Sequence, residues 1–431
     1  MTADLERPLK RSRTSTPTSI NDIESDEDFT DSISSLKSEE LEEMPVQTEV
    51  VSEVLTKDQQ QEKIFKNLRL RRIVKENHGR EINQISFHLN EKNYTAPFGI
   101  DLNKTFDKRG AVERDDGDTS NILASVGDTQ ANIYDNEHCG DHLDIMSHFL
   151  LSEDRNGKAT ASQELFTCCW LHRDDDALLA VAGQDSYIHI LSVACSKELR
   201  KLEGHTGAIT DLQVSPKDDQ HILSASKDGT VRLWHVDSEK CLCVYNVKAS
   251  VVCFNPSGTS FLTGGYNGDI REWTIPDLTE TSELQYIDQG VLKMSGKKHH
   301  GGCIDCMKYI GSNILSKSVN GKAELWNSDT LEVVKTFHLR NSAHNRCRFD
   351  VSMDNKFFCV GSSVGAVYIY NIETGKMVTE LRHRRSTKAV RCCVFSRDCR
   401  NVVCAGEDSF IWRYDYVDDE TLKEWTSKKS T

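Results

Sequence analysis

The feature that most restricts this chain is a recurrence. Seven segments share one order: an alternating apolar strand, a polar turn, a small-residue strand, a turn with Gly, Asp or Asn, and a strand ending on a large side chain. Those end positions are Tyr134, Leu191, Trp234, Trp273, Trp326, Tyr370 and Tyr414, with steps of 57, 43, 39, 53, 44 and 44 residues. A period of about 40–45 residues marks a four-stranded unit that cannot bury its own faces and must stack on its neighbours. Seven such units fall within the roughly 4–8 blades of a closed propeller. Two packed sandwiches would leave the recurring terminal aromatic unexplained. The expected fold is all-β, a seven-bladed β-propeller spanning residues 65–416. The two long steps hold segments assigned to no blade, 151–162 and 276–299, and the first repeat carries a polar insertion at 89–120.

The third segment, 204–236, is the most regular. It opens on Gly204-His205 and closes on Trp234, with His235 where a WD-repeat blade has Asp. Asp228-Gly229 suits a tight hairpin, since both residue types tolerate positive φ. In WD-repeat blades a His, a hydroxyl, an Asp and the Trp form a hydrogen-bonded relay. His205, Ser224 or Ser226, Asp228 and Trp234 fit those places. Such a relay is structural: it fixes strand packing, and three residue types alone do not make a catalytic triad.

A ring of blades also needs its ends joined, or a sheet edge stays open. Phe65–Val74 reads as the entering strand that completes the last blade. Upstream, residues 1–60 carry 6 Lys/Arg against 15 Asp/Glu, a net of −9 out of −14 for the chain. That acidic, Ser/Thr-rich stretch reads as a disordered tail, and 417–431 as a short polar C-terminal tail. Lys10-Arg11-Ser12-Arg13 beside Thr16-Pro17 has the character of a nuclear-import cluster with phosphorylatable neighbours. The charge balance argues against phosphate-driven or sequence-specific nucleic-acid binding. No apolar run approaches the roughly 20 residues of a membrane span. The 15 Cys read as buried strand residues in a reducing compartment. Cys303-Ile304-Asp305-Cys306 has zinc-like spacing but no second pair, so no metal and no cofactor are expected.

Several phrases go beyond a generic blade: FTCCW directly before LLAVAG in the second repeat, IDCMKYIGSNILSKS in the fifth and SFIWRYD in the seventh. In these the chain resembles the embryonic ectoderm development/extra sex combs family of Polycomb group proteins, over about residues 65–416. The resemblance implies a nuclear, non-catalytic scaffold subunit of a Polycomb repressive complex 2-like histone H3 lysine methyltransferase. Such a subunit holds a helix of the SET-domain partner on one face. On the other it reads trimethyl-lysine of the histone H3 tail with a cage of four aromatics, through cation–π attraction. The cage positions fall here on Asn83, Phe166, Cys347 and Arg348. Only Phe166 is aromatic, and Arg348 puts a cation where a cation should bind. Weakened methyl-lysine reading is therefore expected, with the scaffold role intact.

Two other classes compete. A ubiquitin-ligase substrate receptor would share the blades, but its Trp-Asp-x-Arg signature is missing: His235 follows Trp234 and Asn327 follows Trp326. A propeller enzyme would need convergent polar groups, and no metal motif, nucleophile elbow or phosphate loop stands out.

Overall fold

A computed structural model describes residues 56–77, 79–89, 119–138, 142–151, 163–173, 175–277, 283–288, 291–294 and 300–427. The acidic stretch before residue 56, most of the 89–120 insertion and residues 152–162 lie outside these. The described chain opens with helix α1 (Lys57–Lys66), so the boundary of the expected tail at residue 60 is corrected. Its start is a capping box: Thr56 accepts from the Gln59 backbone, while the Gln59 side chain accepts from the Thr56 N–H. Phe65, read as part of the entering strand, is the helix's buried anchor, 5.0 Å from Phe357 and 5.5 Å from Phe395 between ring centroids. The strand itself is β1 (Leu68–Lys75).

With β1 the described strands build seven sheets in chain order, six of four strands and one of five. Blade one is β2 (Gln84–Phe87), β3 (Ile122–Gly127), β4 (Gln130–His138) and β5 (His142–Leu150). Blade two is β6 (Leu165–His172), β7 (Ala177–Gly183), β8 (Ile188–Ser192) and β9 (Lys197–Leu202). Blade three is β10 (Ile209–Val214), β11 (His221–Ser226), β12 (Thr230–His235) and β13 (Lys240–Asn246). Blade four takes β14 (Ala249–Phe254), β15 (Ser260–Gly265) and β16 (Ile270–Thr274). The chain then lays β17 (Gln285–Ile287) parallel on β13 before returning as β18 (Val291–Met294), the outer strand of blade four. The 276–299 segment, assigned above to no blade, therefore supplies strands to two.

Blade five is β19 (Ile304–Ile310), β20 (Asn313–Ser318), β21 (Asn320–Asn327) and β22 (Val333–Ala343). Blade six is β23 (Asp350–Val351), β24 (Phe357–Gly361), β25 (Val367–Asn371) and β26 (Met377–Leu381). Blade seven is β27 (Val390–Phe395), β28 (Asn401–Gly406) and β29 (Phe410–Tyr416), closed by β1 as its outer strand. The N-terminal strand thus covers the edge that a linear array would leave open. A last helix, α2 (Asp419–Ser427), lies within the short polar C-terminal tail expected at 417–431. It is tied to α1 by Lys63 Nζ–Asp419 at 2.6 Å and by Asn67 Nδ2 donating to Asp419 at 2.8 Å.

The seven recurring residues all sit at one register of the third strand and are at most 5% exposed. Opposite each, the outer strand slips by one residue, a bulge that admits the large side chain between blades.

Candidate functional site

The channel through the ring is lined by the first strands of the blades. Each inner strand begins with, or is closely preceded by, a small or apolar residue that is buried: Ile82, Leu165, Ile209, Ala249, Ile304, Cys347 and Val390, none above 3% exposed. The next residue is forced out of register. In five blades a bulge falls on it, at Phe166, Thr210, Ser250, Asp305 and Arg391. A bulge re-aims its side chain, and here all five line one cavity at the channel mouth, of about 240 Å³. Asn83 and Arg348 hold the corresponding places in blades one and six. Asn83, Phe166, Cys347 and Arg348, far apart in sequence, therefore line the same cavity.

They do not form a cage. Asn83 Nδ2 donates to the Leu165 carbonyl at 2.7 Å and to Glu164 Oε1 at 3.2 Å. Cys347 is 1% exposed, and its sulfur accepts the Gly361 N–H at 3.1 Å, so it packs into the blade. The Phe166 ring already faces a cation of this chain, with Lys227 Nζ 5.4 Å from its centroid.

Arg348 crosses the channel. From blade six its Nη1 meets Asp211 Oδ1 of blade three at 2.5 Å, and its Nη2 donates to the Thr210 carbonyl at 3.0 Å. Asp211 is 1% exposed, and its second oxygen accepts the Val252 N–H at 2.9 Å. The bridge stands between the mouth and a second cavity of about 240 Å³ toward the other face; Arg348 lines both. The guanidinium anticipated from sequence is thus not a loose repulsive charge but a neutralised strut.

Neighbouring inner strands are also stitched by side chains. Gln84 exchanges hydrogen bonds with the Cys168 backbone at 2.9 and 3.1 Å, and Asp350 accepts the Phe395 N–H at 2.9 Å. Below Asp305, Lys317 is fully buried with its Nζ 2.6 Å from Asp305 Oδ2. That oxygen also accepts the Cys347 N–H at 3.0 Å.

A family model for the WD domain, G-beta repeat, matches residues 196–235, 240–274 and 375–415. Over 382 residues the chain is 24% identical to the Polycomb protein esc of Drosophila melanogaster, covering 79% of this chain and 82% of that one. Against the Polycomb group protein FIE2 of Zea mays it is 23% identical, covering 69% and 84%. With the Polycomb group protein FIE1 of Oryza sativa it shares 25% identity over 60% of this chain, and it spans 62% of that relative's length. A chain in the structure of Chaetomium thermophilum Polycomb Repressive Complex 2 bound to GSK126 superposes with a TM-score of 0.63 at 15% identity, over 81% of this chain and 98% of that one. This is an extra sex combs-like WD-repeat protein.

In this extra sex combs-like ring the blade-three relay runs in one direction. Trp234 Nε1 donates to Ser224 Oγ at 2.8 Å, Ser224 meets His205 Nε2 at 2.7 Å, and His205 Nδ1 meets Asp228 Oδ2 at 2.7 Å. Burial holds the imidazole below its usual pKa. The same burial works against the Asp228 carboxylate, but the His205 hydrogen bond outweighs it and leaves that group below its usual range. Ser224 is the relay hydroxyl. Ser226 is corrected out of the relay: it donates to the Gly207 carbonyl at 2.7 Å and accepts the Asp228 N–H at 3.1 Å. Gly229 supplies the hairpin's positive φ of 90°.

Blade five holds a relay that the Gly-His pattern missed, because His300 precedes its glycine: Trp326 Nε1 donates to Ser316 Oγ at 3.1 Å, which meets His300 Nε2 at 2.8 Å. The readable signal was a hydroxyl ten residues before the Trp, which also finds Thr263 under Trp273 at 3.1 Å in blade four. The sequence reading also passed over Asp211. Its position on alternating ITDLQV was a clue to the channel side, but its partner lies 137 residues away.

Cys306 is buried on β19, and Cys303 just before it is half-buried; both are free thiols. Among the described residues no group of three or more His, Cys, Asp or Glu is placed to hold a metal, and no helix is long and apolar enough to cross a membrane.

Proposed function

We propose that this chain is the non-catalytic scaffold of a nuclear Polycomb repressive complex 2-like histone H3 lysine methyltransferase, holding the SET-domain subunit and supporting transcriptional repression. The observation that carries the reading is likeness across nearly the whole ring. The match to the Drosophila esc protein covers 79% of this chain, more than the three WD-repeat matches alone. A ring of blades with connecting loops on its faces suits a partner helix, whose affinity would reside in a few buried anchors.

In this reading the histone-facing mouth has lost most of its response to trimethyl-lysine. Quaternary ammonium recognition needs several ring faces around the charge. Here one ring remains, it is shared with Lys227, and the Arg348 guanidinium lies across the path. The test is affinity purification from nuclear extract, with mass spectrometry and a histone H3 methylation assay on the eluate. Recovery of an active SET-domain partner is the expected result. Recovery of ubiquitin-ligase components without a methyltransferase would overturn the scaffold reading.

A further inference from the structure

The mouth cavity presents more than a broken cage. Four cationic side chains line it: Lys227 from the turn after the second strand of blade three, Arg346 and Arg348 from the start of blade six, and Arg391 from blade seven. Arg348 is neutralised by Asp211, and Arg391 by Glu81 at 3.0 Å and Glu407 at 2.6 Å. Lys227 and Arg346 are exposed and, among the described residues, form no ion pair. Arg391 also keeps a buried Nε–H without an acceptor.

The carboxylates of the lining are engaged differently. Glu81 is held by Arg391, Glu164 accepts from Asn83, and Asp305 has one oxygen on Lys317 and Cys347. The other oxygen, Asp305 Oδ1, is buried without a donor. Buried polar atoms left unmatched cost about 1–3 kcal/mol each, so such a pair marks a place where a ligand or water completes the set. The cavity therefore offers two free cations at its rim, one orphan donor and one orphan acceptor.

We infer that the channel mouth is a docking site for an acidic peptide. A side-chain carboxylate on the ligand answers Lys227, Arg346 and the Arg391 Nε–H, and a peptide N–H answers Asp305 Oδ1. A polyphosphate backbone would satisfy the cations but brings no donor for Asp305 Oδ1. A basic histone-like tail meets the wrong sign at the rim. The inference rests on the cavity alone and stands or falls independently of the scaffold reading.

The test is fluorescence anisotropy with the purified full-length chain and three labelled probes: a decapeptide of alternating Glu and Ser, its Gln-for-Glu analogue, and a ten-nucleotide oligo-dT. The acidic peptide is expected to bind and to weaken with added salt, and the Gln analogue to bind at least about tenfold more weakly. The double variant Lys227→Glu/Arg346→Glu should lose the same factor or more. Both positions are exposed, so folding is retained, and an unchanged melting curve verifies it. Lys376→Glu, in the turn between the third and outer strands on the other face, should bind like the parent. Equal affinity for the Gln analogue, tighter binding of oligo-dT, or indifference to the double variant would each overturn the proposal.

Discussion

Replacing Asp211 by Ala removes the acceptor for both Arg348 Nη1 and the Val252 N–H. Breaking a buried ion pair from one side costs about 3–5 kcal/mol, because the other charge stays behind. Arg348 is not wholly dry: its side chain is 20% exposed against 2% for Asp211, and cavities open on both sides of it. Solvent can therefore rescue part of the stranded guanidinium, which puts the ion-pair share at the low end, about 3 kcal/mol. The orphaned Val252 N–H adds about 1 kcal/mol or more. Asp211→Ala should thus destabilise by about 4 kcal/mol in urea denaturation of the full-length chain. Arg348→Ala strands the drier partner, the Asp211 carboxylate, eased only by the Val252 N–H, and should cost a similar amount, about 3–5 kcal/mol. The double variant separates the bridge from other losses: it should resemble Asp211→Ala alone, with a coupling energy above about 1.5 kcal/mol. A cost below about 0.5 kcal/mol for Asp211→Ala, or strictly additive singles, would refute the claim that this bridge braces blades three and six.

Other consequences are open to the same measurement. Ser224→Ala strands both the Trp234 N–H and His205 Nε2 and should cost about 2–4 kcal/mol, more than Thr263→Val under Trp273, where no histidine shares the hydroxyl; equal costs would count against a coupled relay. Phe65→Ala empties a fully buried site between Phe357 and Phe395 and should cost about 3–5 kcal/mol, read as a loss of cooperative unfolding at lower urea. Burial, with His172 3.0 Å away, lowers the His88 pKa to about 3. The unfolded chain then takes up a proton below about pH 6.5 that the native chain refuses, so stability falls as pH drops, by about 2 kcal/mol at pH 5; His88→Gln should flatten that acid limb. His189 has the opposite sign. Burial lowers its pKa, but hydrogen bonds to Asp185 and Glu198 outweigh that and raise it, so its stabilisation is full below the unfolded value and is lost as pH rises through the raised one. His189→Asn should remove that alkaline decline, and an unchanged pH profile would contradict the assignment.

The seven-fold repeat was legible in the sequence because it is a local signal. Strand alternation, turn residues and a large side chain at a fixed place in each third strand are properties of short windows, and every blade obeys them. The same locality explains the errors. Phe65 read as strand because its apolar neighbours fit either period, whereas the Thr56–Gln59 capping box makes it helical. Residues 276–299 carry weak strand patterns, and their pairing with β13 and β16 exists only once the ring is closed.

The site divides along the same line. Motif matching brought Asn83, Phe166, Cys347 and Arg348 to one cavity, since each lies at or just before the start of an inner strand. What those residues do there was decided by partners distant in sequence. Arg348 became a strut because blade three faces blade six across the channel and supplies Asp211, and the Phe166 face was filled by Lys227 from the next blade. Periodicity fixes which way a side chain faces within its own strand. Ring closure alone determines which charges from opposite blades meet, and so what the channel mouth can hold.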